Sequence, residues 1–459
     1  MTRVGAAIMK QPALIAALCA FAIALPTLRN GFAIDDAYLV VGNARIRSFA
    51  SVPELFSRPW GSEGGGASYA RINAAYYRPL TELLYTVEYR LFGLHPGGWH
   101  ATSALLHALV TALVALLAAR ITHRASAAWI AGLLFAVHPV HCEAIAAVTY
   151  QTTLLATLMS GLALREFSRF IDGENRGARL LWLAIVSAFA VLAKEDAATL
   201  PVLALVWGAL ERPCSWRQRA LPWLAISVGV ALVLGVRSHV VTPCAVTFFP
   251  GTGRSAVGYT MLTVPSLYLE LLLVPLRLCP FYDWFLVPIV DHLSTSALLG
   301  VFIIGFGVFL VAALAPRHPA GAIGLAWLGL GLLPVMHLVP ILNVAAERFL
   351  YLPSIGWAIA IGTLPVRRSL QIAIGILLLL YSARTLDRWP DWHDDRALNQ
   401  ATAAAFPETP TPWLNLADLE EKEGHRTAAI AALMEAARRA PGWPVVEKRL
   451  VRLQSNTIP

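Results

Sequence analysis

Long apolar runs separated by short polar segments organise this chain. A helix that crosses a bilayer needs about 20 mostly apolar residues. Candidate spans fall at 11–28, 100–120, 126–141, 151–170, 179–194, 196–211, 220–239, 297–315, 320–336, 349–364 and 369–384. Several are short, or interrupted by proline and polar residues, which is tolerated only where the backbone faces protein or water. The stretch 258–290 is apolar enough for one more span, yet an extra crossing would invert every later loop and expose Arg367 and Arg368. It is therefore expected to be a re-entrant or interfacial hairpin. The pattern predicts an all-α polytopic membrane protein with about 11 transmembrane helices, within a range of 10–13.

Composition supports that reading: 57% of the 459 residues are hydrophobic and only 14% charged, about half the charged share of a soluble domain. The net charge of +8 comes from arginines gathered between apolar runs. That placement marks topology rather than a nucleic-acid face. Arg120, Arg124, Arg165, Arg169, Arg176, Arg179, Arg212, Arg217, Arg219, Arg317, Arg367 and Arg368 are all expected in the cytoplasm, together with the N-terminus. Segments 29–99, 138–150, 194–196, 240–296, 337–348 and the C-terminus then lie outside. Pro12–Leu28 reads as a retained first helix, since no clean small-residue cleavage site precedes Arg29. The five cysteines never form CxxC, so no metal knuckle or redox pair is implied; Cys244 and Cys279 are read as free thiols, with pairing open only in an oxidising compartment.

Residues 29–99 form a long first outer loop. Within it, 76–93 has apolar residues at helical spacing interrupted by charges, as in an interfacial helix, and the glycine run at 61–68 reads as a loop tip. Composition changes after Trp389. With Pro410 as the first position of a 34-residue unit, Trp413, Leu416, Ala417, Gly424, Ala429, Leu433, Ala436 and Pro441 fall where a tetratricopeptide helix–turn–helix places them. One and a half repeats cannot form an independent solenoid, so the tail is expected to dock on the outer face. The division is thus a membrane domain at 1–388 and a helical tail at 389–459.

Charges at the edges of spans are costly and are functional candidates by default. Five clusters share the outer side: Asp35 and Asp36 after the first span, Tyr77 and Arg78 at the interfacial helix, His138, His141 and Glu143 after the third span, Lys194 with Glu195 and Asp196 in "LAKEDA", and Glu347 with Arg348. Each has a plainer reading. The aspartates can be solvated residues at a membrane exit, and Lys194–Glu195 a self-neutralising pair. Glu347 and Arg348 can be interface anchors. The His138–His141–Glu143 spacing suits a metal, but Pro139 breaks the helix there, which favours a hydrogen-bonded pair. Convergence on one face is what lifts the set above these readings. A carboxylate can activate a hydroxyl acceptor as general base. Lys and Arg can stabilise a departing phosphate, which at that depth belongs to a lipid.

The stretches "FAIDDAYLVVGN", "YYRPLTELLYTVEYRLFG", "LLFAVHPVHCEAIAAV", "LAKEDAATLPVLALV" and "AAERFLYLPSIGWAI", in this order, resemble the tetratricopeptide-containing transmembrane O-mannosyltransferases of the GT-C superfamily. The resemblance covers about 20–390. It implies a GT-C-type bundle and inverting transfer of a sugar, mannose or another hexose, from a polyprenyl-phosphate donor to a hydroxyl, with protein Ser/Thr as acceptor. It implies that Asp35 is the catalytic base and that Asp36 assists. Lys194 and Arg348 would engage the donor phosphate. Tyr77, Arg78, His138, His141, Glu143, Glu195 and Glu347 would face the same pocket. No certain cofactor follows, and a divalent metal stays open. Expected partners are membrane lipid, the lipid-linked sugar and a protein acceptor through the tail, with no nucleic acid. The expected setting is a bacterial inner membrane, with active site and tail periplasmic. One departure stands out: where the family shows an arginine and an acid, this chain has Gln151 and Thr153. A transporter or flippase, and a catalytically degenerate scaffold, are the competing readings.

Overall fold

The computed structural model describes the chain apart from residues 1–2, 62–74, 174–175, 212–214, 243–248, 250 and 456–459. Beyond Gly61, the expected loop tip lies outside the described residues, as does Cys244; Cys279 is a buried free thiol. Among the described residues there is no β-strand, only an isolated bridge between Tyr282 and Ala345.

The membrane domain runs through α1 (Arg3–Ala24), α2 (Val52–Ser57), α3 (Pro79–Phe92), α4 (Pro96–Thr122), α5 (Ala125–Val137), α6 (Cys142–Ala146), α7 (Gln151–Ile171), α8 (Arg176–Ala193) and α9 (Leu200–Glu211). It continues through α10 (Trp216–Val240), α11 (Arg254–Met261), α12 (Val264–Leu273), α13 (Thr295–Leu314), α14 (Pro319–Leu332), α15 (Pro353–Gly362) and α16 (Arg368–Arg388). Local chemistry sets many ends. Pro79, Pro96, Pro319 and Pro353 open helices at positions where a missing N–H costs nothing. The Ser215–Gln218 capping box starts α10.

Six of these helical units are long and apolar enough to cross a membrane: Gln11–Arg29, Pro96–Thr122, Trp216–Val240, Arg254–Leu273, Thr295–Leu314 and Arg368–Trp392. A seventh arises if α5 and Pro139–Ala146, bent by 52°, count as one span. Among the described residues, length and apolarity alone thus pick out six or seven crossings against the expected eleven. The expected spans not among them are the short apolar helices Gly177–Ala193, Pro319–Val335 and Pro353–Gly362, the 12-residue α9, and α7, which carries Arg165, Glu166 and Arg169. Conversely, Arg254–Leu273 is a candidate that was not expected as a crossing. Between 258 and 290 no helical hairpin forms: α11 and α12 run on as one apolar unit, and 274–294 is irregular.

The central core joins α1, α4, α5, α7, α8, α14 and α15. Helices packed in lipid approach through small residues. At the α14–α15 crossing an added Cβ on Gly324 would sit 2.6 Å from the Gly356 carbonyl, so side chains are excluded there. By contrast α13 is only 11% buried and exposes Phe302, Phe306 and Phe309, an apolar surface suited to hydrocarbon.

The tail comprises α17 (Asp395–Ala405), α18 (Thr411–Lys422), α19 (Arg426–Arg439) and α20 (Pro444–Ser455). Gly424, at φ +82°, closes α18, and Leu416, Ala417, Leu433 and Ala436 share a buried cluster against which Trp413 packs. The tail is tied to the membrane domain by the Trp389 indole N–H on the Ile23 carbonyl (2.7 Å), by Arg277 on the Ala405 carbonyl (2.9 Å) and by Thr411 on Asp283.

Candidate active site

Five breaks in helical structure meet at one end of the bundle. They are the segment leaving α1, the approach to α3, the turn before α7, the gap between α8 and α9, and the segment before α15. The cleft between them is lined by Asp35, Arg78, Lys194, Glu195, Asp196 and Arg348, with Trp60, Tyr76, Tyr150 and Phe349 as its aromatic walls. Four charged groups expected on separate segments, Asp35, Arg78, Lys194 and Arg348, are thus brought to one cavity.

The two adjacent aspartates separate completely. Asp35 lines the cleft, where the Tyr150 hydroxyl donates toward its Oδ2 at 3.4 Å. Asp36 is fully buried and accepts the N–H groups of Ala33 (3.2 Å), Val148 (3.1 Å) and Thr149 (2.7 Å), and the Thr149 hydroxyl. Burial pushes the Asp36 carboxyl up to about 7, against the opposing pull of those donors. Its place is to fasten the α1 exit to the turn before α7.

Each cation in the cleft has an acidic partner. Arg78 makes a two-pronged contact with Glu195 (3.0 and 2.6 Å) and lies 4.5 Å from the Trp60 ring and 4.6 Å from the Tyr76 ring. Lys194 pairs with Asp196 (2.6 Å), not with Glu195, and donates to the Thr153 hydroxyl (3.1 Å). The adjacent Lys–Glu pair of the sequence is therefore no salt bridge: residues on an extended turn point apart. Arg348 is ion-paired with buried Glu143, which also accepts the Arg348 backbone N–H at 2.6 Å. Its guanidinium stacks 4.3 Å from the Tyr150 ring, linking Glu143, Arg348, Tyr150 and Asp35 in one series.

Burial alone would raise Glu195, but the Arg78 charge and hydrogen bonds outweigh it and hold the carboxyl at about 2. The sign of the pH effect follows. A depressed folded-state pKa contributes stability in full above the ordinary glutamate value of 4.5, and that contribution is lost as pH falls through about 2. Thermal unfolding midpoints recorded from pH 5 to pH 2 should fall, and Glu195→Gln should flatten that part of the curve. An unchanged slope in the variant would remove the assignment.

The remaining candidates sit behind the cleft. The Tyr77 hydroxyl donates to the Phe56 carbonyl (2.9 Å). Glu347 accepts the Cys279 N–H and faces Arg388 at 3.9 Å, fastening the irregular 274–294 segment and the end of α16. His138 bonds the Leu272 carbonyl (3.0 Å) and accepts the Val140 N–H (3.2 Å); His141 bonds the Phe135 carbonyl (2.9 Å) and Ser354 (2.8 Å). With all four ring nitrogens engaged and Glu143 committed to Arg348, this trio fits a packing unit better than a metal site. The grouping of acidic and histidine ligand atoms close enough for a metal among the described residues is Glu420, Glu423 and His425 in the tail, already tied to Arg396.

The two departing positions also part company. Gln151 is buried and donates to Glu88 (2.9 Å), away from the cleft, whereas Thr153 touches Lys194. Trp60, Tyr76, Asn343 and Phe349 line the cleft without a distinguishing sequence signal, because aromatic residues at membrane interfaces are common for other reasons. Tyr150 had one, its place inside the departing "TYQTT" stretch.

The family model for dolichyl-phosphate-mannose-protein mannosyltransferase matches residues 78–239, a span that contributes Arg78, Tyr150 and Lys194 to the cleft. Protein O-mannosyl-transferase TMTC3 of Mus musculus is 26% identical over 460 residues, 90% of this chain and 49% of its own. Human protein O-mannosyl-transferase TMTC1 is 26% identical over 91% of this chain and 54% of its own, and human TMTC4 is 26% identical over 87% and 62%. The chain spans about half the length of the curated relatives it matches. No solved structure matches. The apolar helices and these matches mark a multi-pass membrane protein similar to the protein O-mannosyl-transferases.

Proposed function

We propose that this chain transfers a mannosyl residue from a polyprenyl-phosphate donor to a protein hydroxyl, in a GT-C-type bundle whose cleft and tail face away from the cytoplasm. The observation that carries the reading is the meeting of Asp35, Lys194 and Arg348 in one cleft. Asp35 would take the proton of the acceptor hydroxyl as its oxygen attacks the anomeric carbon. The bond from that carbon to the phosphate oxygen breaks, and the electron pair leaves with the lipid phosphate. Lys194 suits the phosphate best: its partner Asp196 is partly exposed, so one anion can be exchanged for another. Arg348, locked by Glu143, supplies fixed positive charge beside it. The eleven-crossing count also remains part of this reading, with the short helices completing crossings inside the bundle. The tail, read as a tetratricopeptide-like hairpin, would present the acceptor.

Purified protein in lipid vesicles, given labelled polyprenyl-phosphate mannose and a Ser/Thr peptide, should place label on the peptide. Label that crosses the bilayer still attached to lipid would instead support a flippase, and binding without transfer a scaffold. In the same assay Lys194→Gln should raise the donor KM by about tenfold or more, the loss of a charge-assisted phosphate contact. An unchanged KM would take Lys194 out of the donor site.

A further inference from the structure

The segment carrying Asp35 is held from two directions. From the membrane domain, buried Asp36 accepts the Ala33 and Val148 N–H groups. From the tail side, the Trp389 carbonyl accepts the Asn30 amide (3.1 Å), the His393 carbonyl accepts the Gly31 N–H (2.8 Å), and the Asp395 carboxylate on α17 accepts the Ile34 N–H at 2.6 Å. Ile34 has φ +54°, a left-handed conformation that a β-branched residue adopts only under restraint. That residue immediately precedes Asp35, so its backbone sets the direction in which the Asp35 carboxylate leaves the chain. The same turn sends Asp36 the opposite way, into the core.

We propose that Asp395 is a positioning residue for Asp35: by accepting the Ile34 N–H it holds the left-handed turn that aims Asp35 into the cleft, so transfer requires a docked tail. This rests on the reading of Asp35 as the acceptor base. The bond joins residues 361 positions apart, and it is a direct side-chain hydrogen bond from the tail to the reacting segment. A partner or acceptor that shifts α17 would therefore alter the reactivity of Asp35 without touching the cleft.

In the full chain, Asp395→Ala should lower kcat on the order of 10- to 100-fold, the cost of a misplaced reacting group, with donor KM unchanged within twofold. Asp395→Asn keeps a carbonyl acceptor and should recover most of that loss. Ile34→Gly in the Asp395→Ala background should also recover rate, because glycine enters positive φ without a Cβ penalty. Unchanged kcat in Asp395→Ala, or a loss that neither Asn nor the Ile34→Gly change restores, would overturn the proposal. Amide hydrogen exchange supplies a readout independent of transfer. Exchange at 31–36 should quicken in Asp395→Ala while α15 stays protected, and unchanged exchange there overturns the proposal even if Asp35→Asn shows that Asp35 is not the base.

Discussion

Asp35→Asn is expected to reduce transfer by about 10²–10⁴-fold, the range supplied by a positioned general base. The substitution is nearly isosteric, so the contact with Tyr150 can persist while the proton acceptor is lost. Donor binding should be retained, because Lys194 and Arg348 are untouched. Asp36→Asn makes the contrast. Its carboxylate accepts from several donors that join the α1 exit to the turn before α7, and an amide presents its NH₂ to one side of that set. That variant should lose folded protein rather than turnover per folded molecule. Transfer rates and fraction folded, measured together on both variants, separate the roles. Full turnover in Asp35→Asn would remove the catalytic assignment, whereas a well-folded, inactive Asp36→Asn would move it one residue along.

The second large effect is expected at Glu143. Its side chain is fully buried and serves Arg348 twice, through the guanidinium and the backbone N–H. Removing one partner of a buried ion pair leaves the other charge unmatched, at a cost of about 3–5 kcal/mol. Glu143→Ala should therefore lower the thermal midpoint in detergent markedly and abolish transfer by releasing the Arg348–Tyr150 stack beside Asp35. Glu143→Gln retains an acceptor for the Arg348 N–H and should destabilise less. Equal midpoints for wild type and Glu143→Ala would show that Arg348 finds another anion, and its place as a fixed charge would be withdrawn.

The cleft also explains the Gln151 and Thr153 departure in physical terms. Gln151 lies in a buried polar pocket with Glu88, Ser103 and the Trp99 carbonyl. Burial raises the Glu88 carboxyl to about 8, so a neutral amide partner suits a neutral acid there. Thr153 sits beside Lys194, where an acid would add a second negative charge next to Asp196. The first change alters packing behind the site, and the second alters the electrostatic surroundings of the lysine assigned to the donor.

By itself the sequence determined where most helices form, since apolar run length and proline placement are local properties that act within one segment, but it misread the course of 258–290. It also determined which charged residues are costly enough at span edges to be candidates, and that helices form within 410–441, where Leu416, Ala417, Leu433 and Ala436 share a buried cluster. What only the tertiary structure decided is the direction of side chains at the breaks between helices. There no 3.6-residue period dictates a face, and partners lie far away in the chain: Asp36 on Thr149, Arg78 on Glu195, Glu143 on Arg348, Asp395 on Ile34. The double aspartate is the sharpest case. Two identical neighbouring side chains part because a backbone turn at Ile34, held by distant groups, sends Asp35 to the cleft and Asp36 to the core.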